Sequence, residues 1–174
     1  KFIEPASLPK DFSKIPDSSA VAAIRYSVPG TAESLEAKYE QYMPQTAVVD
    51  KKSATLEVTY DGKPQFEKIE GTDLSYAINT QSSVLKMVAG KYYCVDNGIW
   101  FIASSATGPW KVSDRRPEEV EKIPSSYPVY NLKYVYIYKS THVVVYVGST
   151  PGYYYSYTYG GVVLYVTGDY NNPG

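Results

Sequence analysis

The stretch between Tyr130 and Val166 constrains the fold of this chain most strongly. Its sequence is YNLKYVYIYKSTHVVVYVGSTPGYYYSYTYGGVVLYV, in which tyrosines recur at every second position over residues 134–138 and 153–159. Successive side chains of a β-strand point to opposite faces, so this alternation is typical of strands. Valine-rich runs at 143–147 and 162–166 complete the pattern, and short polar or glycine-rich turns separate all four segments. We therefore predict an antiparallel meander of four strands with a ladder of tyrosines.

These aromatic rings are the candidate binding residues. A sugar binds well on an exposed ring because its apolar C–H face stacks on the ring while its hydroxyl groups find polar partners at the rim. The alternative is that the rings pack inside a core, and we expect this of the two tryptophans in particular. The candidates are Tyr134, Tyr136, Tyr138, Tyr153, Tyr155, Tyr157, Tyr159, Trp100 and Trp110.

One helix is predicted near the N-terminus, from Thr31 to Met43. Thr31 is a favourable N-cap, and Pro44 ends the helical pattern. Apolar residues share one face at helical spacing, which predicts an amphipathic helix whose apolar face covers a sheet. These residues are Leu35, Tyr39, Tyr42 and Met43.

The rest of the chain is predicted to be mainly β (α+β), with antiparallel sheets and hairpins. Asn97-Gly98 between two apolar runs is a strong hairpin signal, and Pro117 begins one predicted helical turn. Further strands are expected at 21–28, 47–49, 54–60, 66–69, 74–78 and 84–88. Residues 1–19 are expected to form an extended arm. We divide the chain into an α+β part at 1–89, which includes that arm, and an all-β part at 90–174, and leave open whether the two share one core.

Composition argues against several classes of function. The 17 basic and 18 acidic residues give a net charge of -1, so we do not expect a nucleic-acid partner. No stretch approaches the ~20 apolar residues of a membrane-spanning helix. His142 is the only histidine and Cys94 the only cysteine. A Ser-His-Asp triad or a Cys-based metal site is therefore poorly supported, and we expect no catalytic residue, metal or cofactor.

Several motifs resemble a family of uncharacterised exported bacterial proteins. They are DFSKIP at 11–16, SVPGT at 27–31, PQTAVV at 44–49, YDGKPQF at 60–66, NGIWFIA at 97–103 and GPW at 108–110. The resemblance implies export from a bacterium and a non-catalytic role, and some relatives carry a carbohydrate-binding label. It supplies no catalytic residues. Because the chain begins at Lys1, we expect that a leader has been removed.

These observations lead to one expected function and two alternatives. The expected function is a non-catalytic, exported structural or interaction module of the bacterial envelope or extracellular matrix. Its partner is expected to be a second copy, another envelope protein or a polysaccharide. The first alternative is a carbohydrate-binding module that uses an exposed tyrosine face. The second is an enzyme, since 18 acidic residues leave room for a glycosidase-like carboxylate pair.

Overall fold

The computed structural model describes residues 7–154, together with the backbone of residues 156–159 and 162–165. It confirms a mainly β fold with antiparallel sheets and one α-helix near the N-terminus. The α-helix is α1 (Ala32–Glu40). The strands are β1 (Gln45–Asp50), β2 (Phe66–Lys68), β3 (Leu74–Ala77), β4 (Ser83–Met87), β5 (Tyr92–Asp96), β6 (Ile99–Ala103), β7 (Lys111–Val112), β8 (Val135–Ser140), β9 (Val144–Ser149), β10 (Ser156–Tyr159) and β11 (Val162–Tyr165).

Two compact units divide the chain differently from the sequence-based halves. One unit contains residues 45–149, and the other combines 1–44 with 150–174. The predicted division between residues 89 and 90 falls between β4 and β5, which pair with each other from Ser83↔Val95 to Lys86↔Tyr92. Ala89-Gly90 is therefore a hairpin connection inside one sheet. None of the helices in the described part of the chain has the length and apolar character needed to span a bilayer.

Strands β2 to β7 form one six-stranded meander in the unit at 45–149. Each strand pairs antiparallel with its neighbour in sequence, so the order is β2-β3-β4-β5-β6-β7. The Asn97-Gly98 hairpin forms as predicted, because Asp96 pairs with Ile99 and both loop residues adopt positive φ, 48° and 74°. The predicted helical turn is also present, as a 3-10 helix at Glu118–Lys122 that follows Pro117.

A three-stranded sheet of order β1-β9-β8 completes this unit. β8 and β9 form the predicted hairpin, but the next neighbour of β9 is β1, about a hundred residues earlier in the chain. The last two strands, β10 and β11, pair with each other in a separate two-stranded sheet. The predicted four-strand meander was therefore wrong in its connectivity, since it consists of two hairpins that belong to different sheets.

The core of the unit at 45–149 lies between its two sheets. Phe101 and Val112 of the larger sheet pack against Val145 and Val147 of β9. Half-buried apolar residues surround this cluster, among them Val49, Ile99 and Ile137. One face of the three-stranded sheet is thus buried, which leaves the side chains at the intervening positions of β8 and β9 on the other face.

Residues 54–60 are extended but do not form the predicted strand. Burial alternates as the sequence pattern indicates: Ala54, Leu56, Val58 and Tyr60 face inwards, while the residues between them are exposed. Leu56, Val58 and Tyr60 pack on a second core cluster around Val84 and Cys94. The segment has no ladder partner, since β2 pairs with β3 instead. Apolar packing rather than backbone pairing accounts for the period of two here.

The other unit contains α1 and the β10–β11 hairpin, with α1 next to β11. The helix begins as predicted, because the Thr31 Oγ1 accepts a hydrogen bond from the Ser34 N–H at 3.1 Å. Its predicted apolar face was wrong. Ser34 and Ala37 are the buried helical residues, whereas Leu35, Tyr39, Tyr42 and Met43 are exposed. Small side chains allow close packing on this side of the helix.

The N-terminal segment departs from two predictions. Residues 22–27 form a 3-10 helix rather than part of a strand, and the predicted extended arm contains a 3-10 helix at Lys10–Lys14. Arg25 connects the two segments: it forms ion pairs with Asp17 and Glu33 and donates a hydrogen bond to the Ile15 carbonyl at 3.3 Å. Arg25 thus ties the 3-10 helix at 22–27 to residues 15–17 and to the start of α1.

Lys51 joins three parts of the unit at 45–149. Its ammonium group pairs with Asp114, donates to the Ser140 Oγ at 2.8 Å and bonds the Thr141 carbonyl. The Asp114 carboxylate also accepts a hydrogen bond from Ser140. The hydrogen bond from Lys51, followed by that from Ser140, lowers the pKa of Asp114 below its usual value. The end of β1 is therefore fixed to the β8–β9 turn by a charged contact.

This contact predicts a pH-dependent contribution to stability. Because the pKa of Asp114 is depressed in the folded chain, its contribution is present above the unfolded pKa and disappears as the pH falls through the folded pKa. Asp114 is mostly exposed, so Asp114→Asn should lower the free energy of unfolding at neutral pH by only about 0.5 kcal/mol. Denaturant titrations of both proteins should converge at acidic pH. A difference that grows on acidification would contradict this prediction.

Candidate functional site

The outer face of the three-stranded sheet carries the aromatic residues that the structure brings together. Val145 and Val147 point into the core, so Tyr146 and Gly148 of β9 lie on the outer face. The ladder places Val48 opposite Tyr146, and Tyr136 opposite Gly148. We call this surface the tyrosine face: it consists of Tyr136, Tyr138, Tyr146, Gly148, Thr46 and Val48.

Tyr138 lies against the backbone of β9. The missing side chain of Gly148 makes room for it, because a Cβ at that position would stand 2.7 Å from the Tyr138 Cε2 and 3.0 Å from the Gln45 carbonyl oxygen. Tyr136 and Tyr138 are stacked, with ring centroids 6.1 Å apart and an interplanar angle of 24°. Tyr138 is nevertheless 53% exposed. The sheet thus presents a supported ring to the solvent.

An irregularity in β8 contributes to this arrangement. The register shifts between Ile137 and Lys139, so that Ile137 pairs with Val147 and Lys139 with Tyr146. Tyr138 is the extra residue of a β-bulge, a feature that bends a strand and redirects side chains. The bulge explains how Tyr136 and Tyr138 stay on the outer face next to Gly148 while Lys139 reaches Tyr146.

Two cations flank the tyrosine face. The Arg116 guanidinium lies 4.8 Å from the centroid of the Tyr136 ring, and the Lys139 ammonium lies 5.9 Å from that of Tyr146. Arg116 is fixed, because it donates hydrogen bonds to the carbonyls of Lys133 at 2.8 Å and Val135 at 3.3 Å. Lys139 is exposed, so its charge is accessible from the solvent. The face thus combines apolar rings with two flanking cations, of which Arg116 is paired with Glu121 and Lys139 is open to the solvent.

Burial raises the pKa of the Tyr138 hydroxyl, with a further contribution from the neighbouring Tyr136 and an opposing one from Arg116. The hydroxyl therefore stays protonated well beyond neutral pH. A protonated phenol can both donate and accept a hydrogen bond. At physiological pH the group suits neutral polar partners such as hydroxyl groups.

Tyr134, a predicted member of the same row, belongs to a different cluster. It lies in a 3-10 helix at Tyr130–Tyr134, where its ring meets that of Tyr130 edge-on at 6.0 Å. The Lys133 ammonium donates to the Tyr130 hydroxyl at 2.6 Å, which lowers the pKa of Tyr130. Burial, followed by the hydrogen bond with Tyr130, raises the pKa of Tyr134. Tyr134 is thus half-buried and internally bonded.

Trp100 is a core residue rather than a surface platform. Its side chain is completely buried, and its indole Nε1 donates a hydrogen bond to the Val135 carbonyl at 3.0 Å. Trp110 is half-buried and packs against both core clusters of its unit. Both observations agree with the alternative interpretation given for the tryptophans.

The second predicted tyrosine row lies mostly outside the described residues. Tyr153 is in a 3-10 helix at Pro151–Tyr154, not in a strand, and its ring meets that of Tyr154 edge-on at 4.9 Å. Tyr155 is not described, and of Tyr157 and Tyr159 the structure describes only the backbone, in β10. Of the predicted row on 153–159, the structure thus describes Ser156–Tyr159 as a strand and places Tyr153 outside it.

The residues with potential for nucleophilic or metal chemistry are dispersed. Cys94 is buried, and burial raises the pKa of its thiol to about 12. His142 is exposed on the turn between β8 and β9. Among the residues described, no group of three or more His, Cys, Asp or Glu side chains is placed to hold a metal ion.

Four residues of the tyrosine face and its rim were not predicted from the sequence: Tyr146, Gly148, Arg116 and Lys139. A signal for Tyr146 was present, since a period of two within Val143–Val147 places it opposite Val145 and Val147. The glycine-rich turn predicted after Val147 begins at Gly148, whereas Gly148 lies within β9. Arg116 comes from a loop that precedes β8 by almost twenty residues, and nothing in its sequence neighbourhood indicates that it contacts Tyr136.

Comparisons with family models, with curated proteins and with solved structures gave no match for this chain.

Proposed function

We propose that the chain is a non-catalytic interaction module of the bacterial envelope or extracellular matrix, and that the tyrosine face is its contact surface. The observation that carries the proposal is the stacked pair of Tyr136 and Tyr138, supported by Gly148 and open to the solvent. Export and the bacterial setting rest on the motif resemblance.

Exposure distinguishes this face from the clusters around Trp100 and Tyr134, which are buried or half-buried. The opposite side of the same sheet is filled by Val145, Val147 and Ile137, so the tyrosines are not needed to complete that core. Val48, Tyr138 and Tyr146 are all exposed on one surface. Clusters of exposed apolar groups with a polar rim are typical of interaction sites, and tyrosine is frequent among residues that dominate binding energy.

A carbohydrate ligand is the second candidate, favoured by the way Tyr138 is held. A ring supported on one side by backbone can present its other side to the apolar face of a sugar. The hydroxyl of Tyr138 and the ammonium of Lys139 lie near enough to the rings to meet sugar hydroxyl groups at the rim. A protein partner would use the same rings, and the variants below distinguish the two kinds of ligand.

The test compares three variants for retention on insoluble polysaccharides and on bacterial envelope fractions. Tyr138→Ala is expected to reduce affinity about tenfold, the effect of ~1.4 kcal/mol, with its melting temperature nearly unchanged because the side chain is largely exposed. Gly148→Ala keeps every ring but displaces Tyr138, and should also weaken binding. Tyr39→Ala is the matched control, since Tyr39 is an exposed tyrosine on α1.

Three outcomes would be informative. Loss of retention on one polysaccharide, confined to Tyr138→Ala and Gly148→Ala, would select the carbohydrate candidate. The same loss on a protein component of the envelope fraction would select a protein partner. Equal retention of all three variants on every matrix that holds the parent chain would overturn the assignment of the tyrosine face.

A further inference from the structure

The unit at 45–149, which is described throughout, has four strand edges, and three of them are protected. β2 and β7 are only three and two residues long. β8 carries a β-bulge, and its Val135 carbonyl already accepts hydrogen bonds from Trp100 and Arg116. Short strands, bulges and blocked backbone groups are the usual means by which proteins prevent edge-to-edge pairing. The fourth edge, that of β1, lacks all of them.

β1 is an open edge by every one of these criteria. It pairs with β9 over six residues without a register shift, and it contains neither proline nor charge from Gln45 to Val49. All of its residues except Val49 are exposed. The protein therefore presents a regular strand with one unpaired side to the solvent.

The ladder shows which backbone groups are unpaired. The Lys51 N–H donates to the Val143 carbonyl, which continues the β1–β9 ladder by one residue. In an antiparallel pair only alternate residues bond a given neighbour. The odd-numbered residues of β1 therefore bond β9, and the N–H and C=O groups of Thr46 and Val48 point away from the sheet.

We propose that two copies of this chain pair antiparallel through β1, with Ala47 opposite Ala47 on a two-fold axis. This register places Thr46 of each copy opposite Val48 of the other, so the outward N–H and C=O groups of both residues form four hydrogen bonds. Directly opposed residues then share a face, as a continuous sheet requires. The contact is isologous and closes on itself.

The ends of β1 fit this register as well. The next opposed pair is Pro44 with Asp50. Pro44 has no N–H, and the Asp50 carbonyl that it would otherwise bond already accepts a hydrogen bond from the Ala54 N–H at 3.2 Å. Pro44, which cannot donate a hydrogen bond, therefore lies opposite a carbonyl oxygen that already accepts one within its own copy. This complementarity selects a second copy over an unrelated strand.

Pairing would convert two three-stranded sheets into one six-stranded sheet. The two-fold axis stands perpendicular to that sheet, so the tyrosine faces of both copies lie on the same side. A dimer would then present two contact surfaces in parallel, which raises avidity for a repetitive partner. The dimer itself does not depend on which ligand, if any, the tyrosine face binds.

A charge exchange at position 47 tests the register directly. Ala47→Lys and Ala47→Glu each place like charges opposite one another across the axis, which destabilises a strand pair, whereas an equimolar mixture places opposite charges there. We expect a concentration-dependent dimer for the parent chain by light scattering, at least tenfold weaker dimers for each variant alone, and recovery in the mixture. Val143→Lys, in the exposed turn between β8 and β9, is the control and should dimerise like the parent.

Circular dichroism establishes that every variant is folded. A parent chain that stays monomeric at the highest concentration reached would overturn the proposal. So would dimers of Ala47→Lys as stable as those of the parent, since that outcome places the interface elsewhere. Tyr138→Ala should still dimerise. A result that rejects the tyrosine face as the contact surface can therefore be distinguished from one that rejects β1 as the dimer edge.

Discussion

Replacing Trp100 with alanine is expected to lower the free energy of unfolding by about 3–5 kcal/mol, the range found when a large buried aromatic residue is truncated. Trp100 is completely buried in β6 and meets the ring of Tyr93 edge-on at 6.3 Å. Its Nε1 donates to the Val135 carbonyl, so it joins the six-stranded sheet to the start of β8. Truncation would leave a cavity and remove this connection.

Trp100→Phe separates the two contributions. Phenylalanine fills much of the space but cannot donate a hydrogen bond, so we expect a loss of about 1–2 kcal/mol. The Val135 carbonyl keeps a second donor in Arg116. Chemical denaturation monitored by circular dichroism measures both variants. Val88→Ala, at a site 76% exposed, is the control and should change stability by less than ~0.5 kcal/mol. A loss below about 1 kcal/mol for Trp100→Ala would contradict its place in the core.

Local signals in the sequence predicted most of the individual elements. The Asn97-Gly98 hairpin and the Thr31 cap both depend on residues within a few positions of one another. Such interactions are encoded in adjacent residues, so a single sequence is sufficient to detect them. Even the segment at 54–60 buried the predicted side chains although it formed no ladder.

Long-range pairing could not be predicted in the same way. The partner of β9 is β1, and no property of Gln45–Asp50 identifies a strand a hundred residues away as its neighbour. The predicted meander assumed that consecutive strands pair, which is common but not general. The predicted 21–28 strand failed for a related reason: Arg25 finds partners in Asp17 and Glu33, and strand propensity depends strongly on context.

The candidate site was predicted only in part. Tyr136 and Tyr138 are on the tyrosine face, as their spacing indicates. What makes them a supported surface is the absence of a side chain at Gly148 and the position of the Arg116 guanidinium, both supplied by other segments. The buried side of helix α1 was likewise not predicted from the sequence. The residues buried there are the small Ser34 and Ala37 rather than the larger apolar ones.

Replacing Arg116 with alanine is expected to affect both stability and the tyrosine face. The guanidinium bonds the carbonyls of Lys133 and Val135, pairs with Glu121 and lies over the ring of Tyr136. Hydrogen bonds from a charged donor contribute roughly 1.5–3 kcal/mol, so we expect the free energy of unfolding to fall by about 2–3 kcal/mol. Binding through the tyrosine face should weaken in parallel, because Tyr136 loses the group that packs against it.

Two further variants identify the cause of such a loss. Arg116→Lys keeps the charge but not the planar fork, and should recover only part of the stability, since one ammonium group cannot bond two carbonyls, pair with Glu121 and stack on Tyr136 together. Arg115→Ala removes the same charge from the exposed neighbouring position and should have little effect. If Arg115→Ala and Arg116→Ala destabilise the protein equally, net charge is responsible. Only a selective effect of Arg116 would support the view that its fixed contacts to the start of β8 hold the tyrosine face in place.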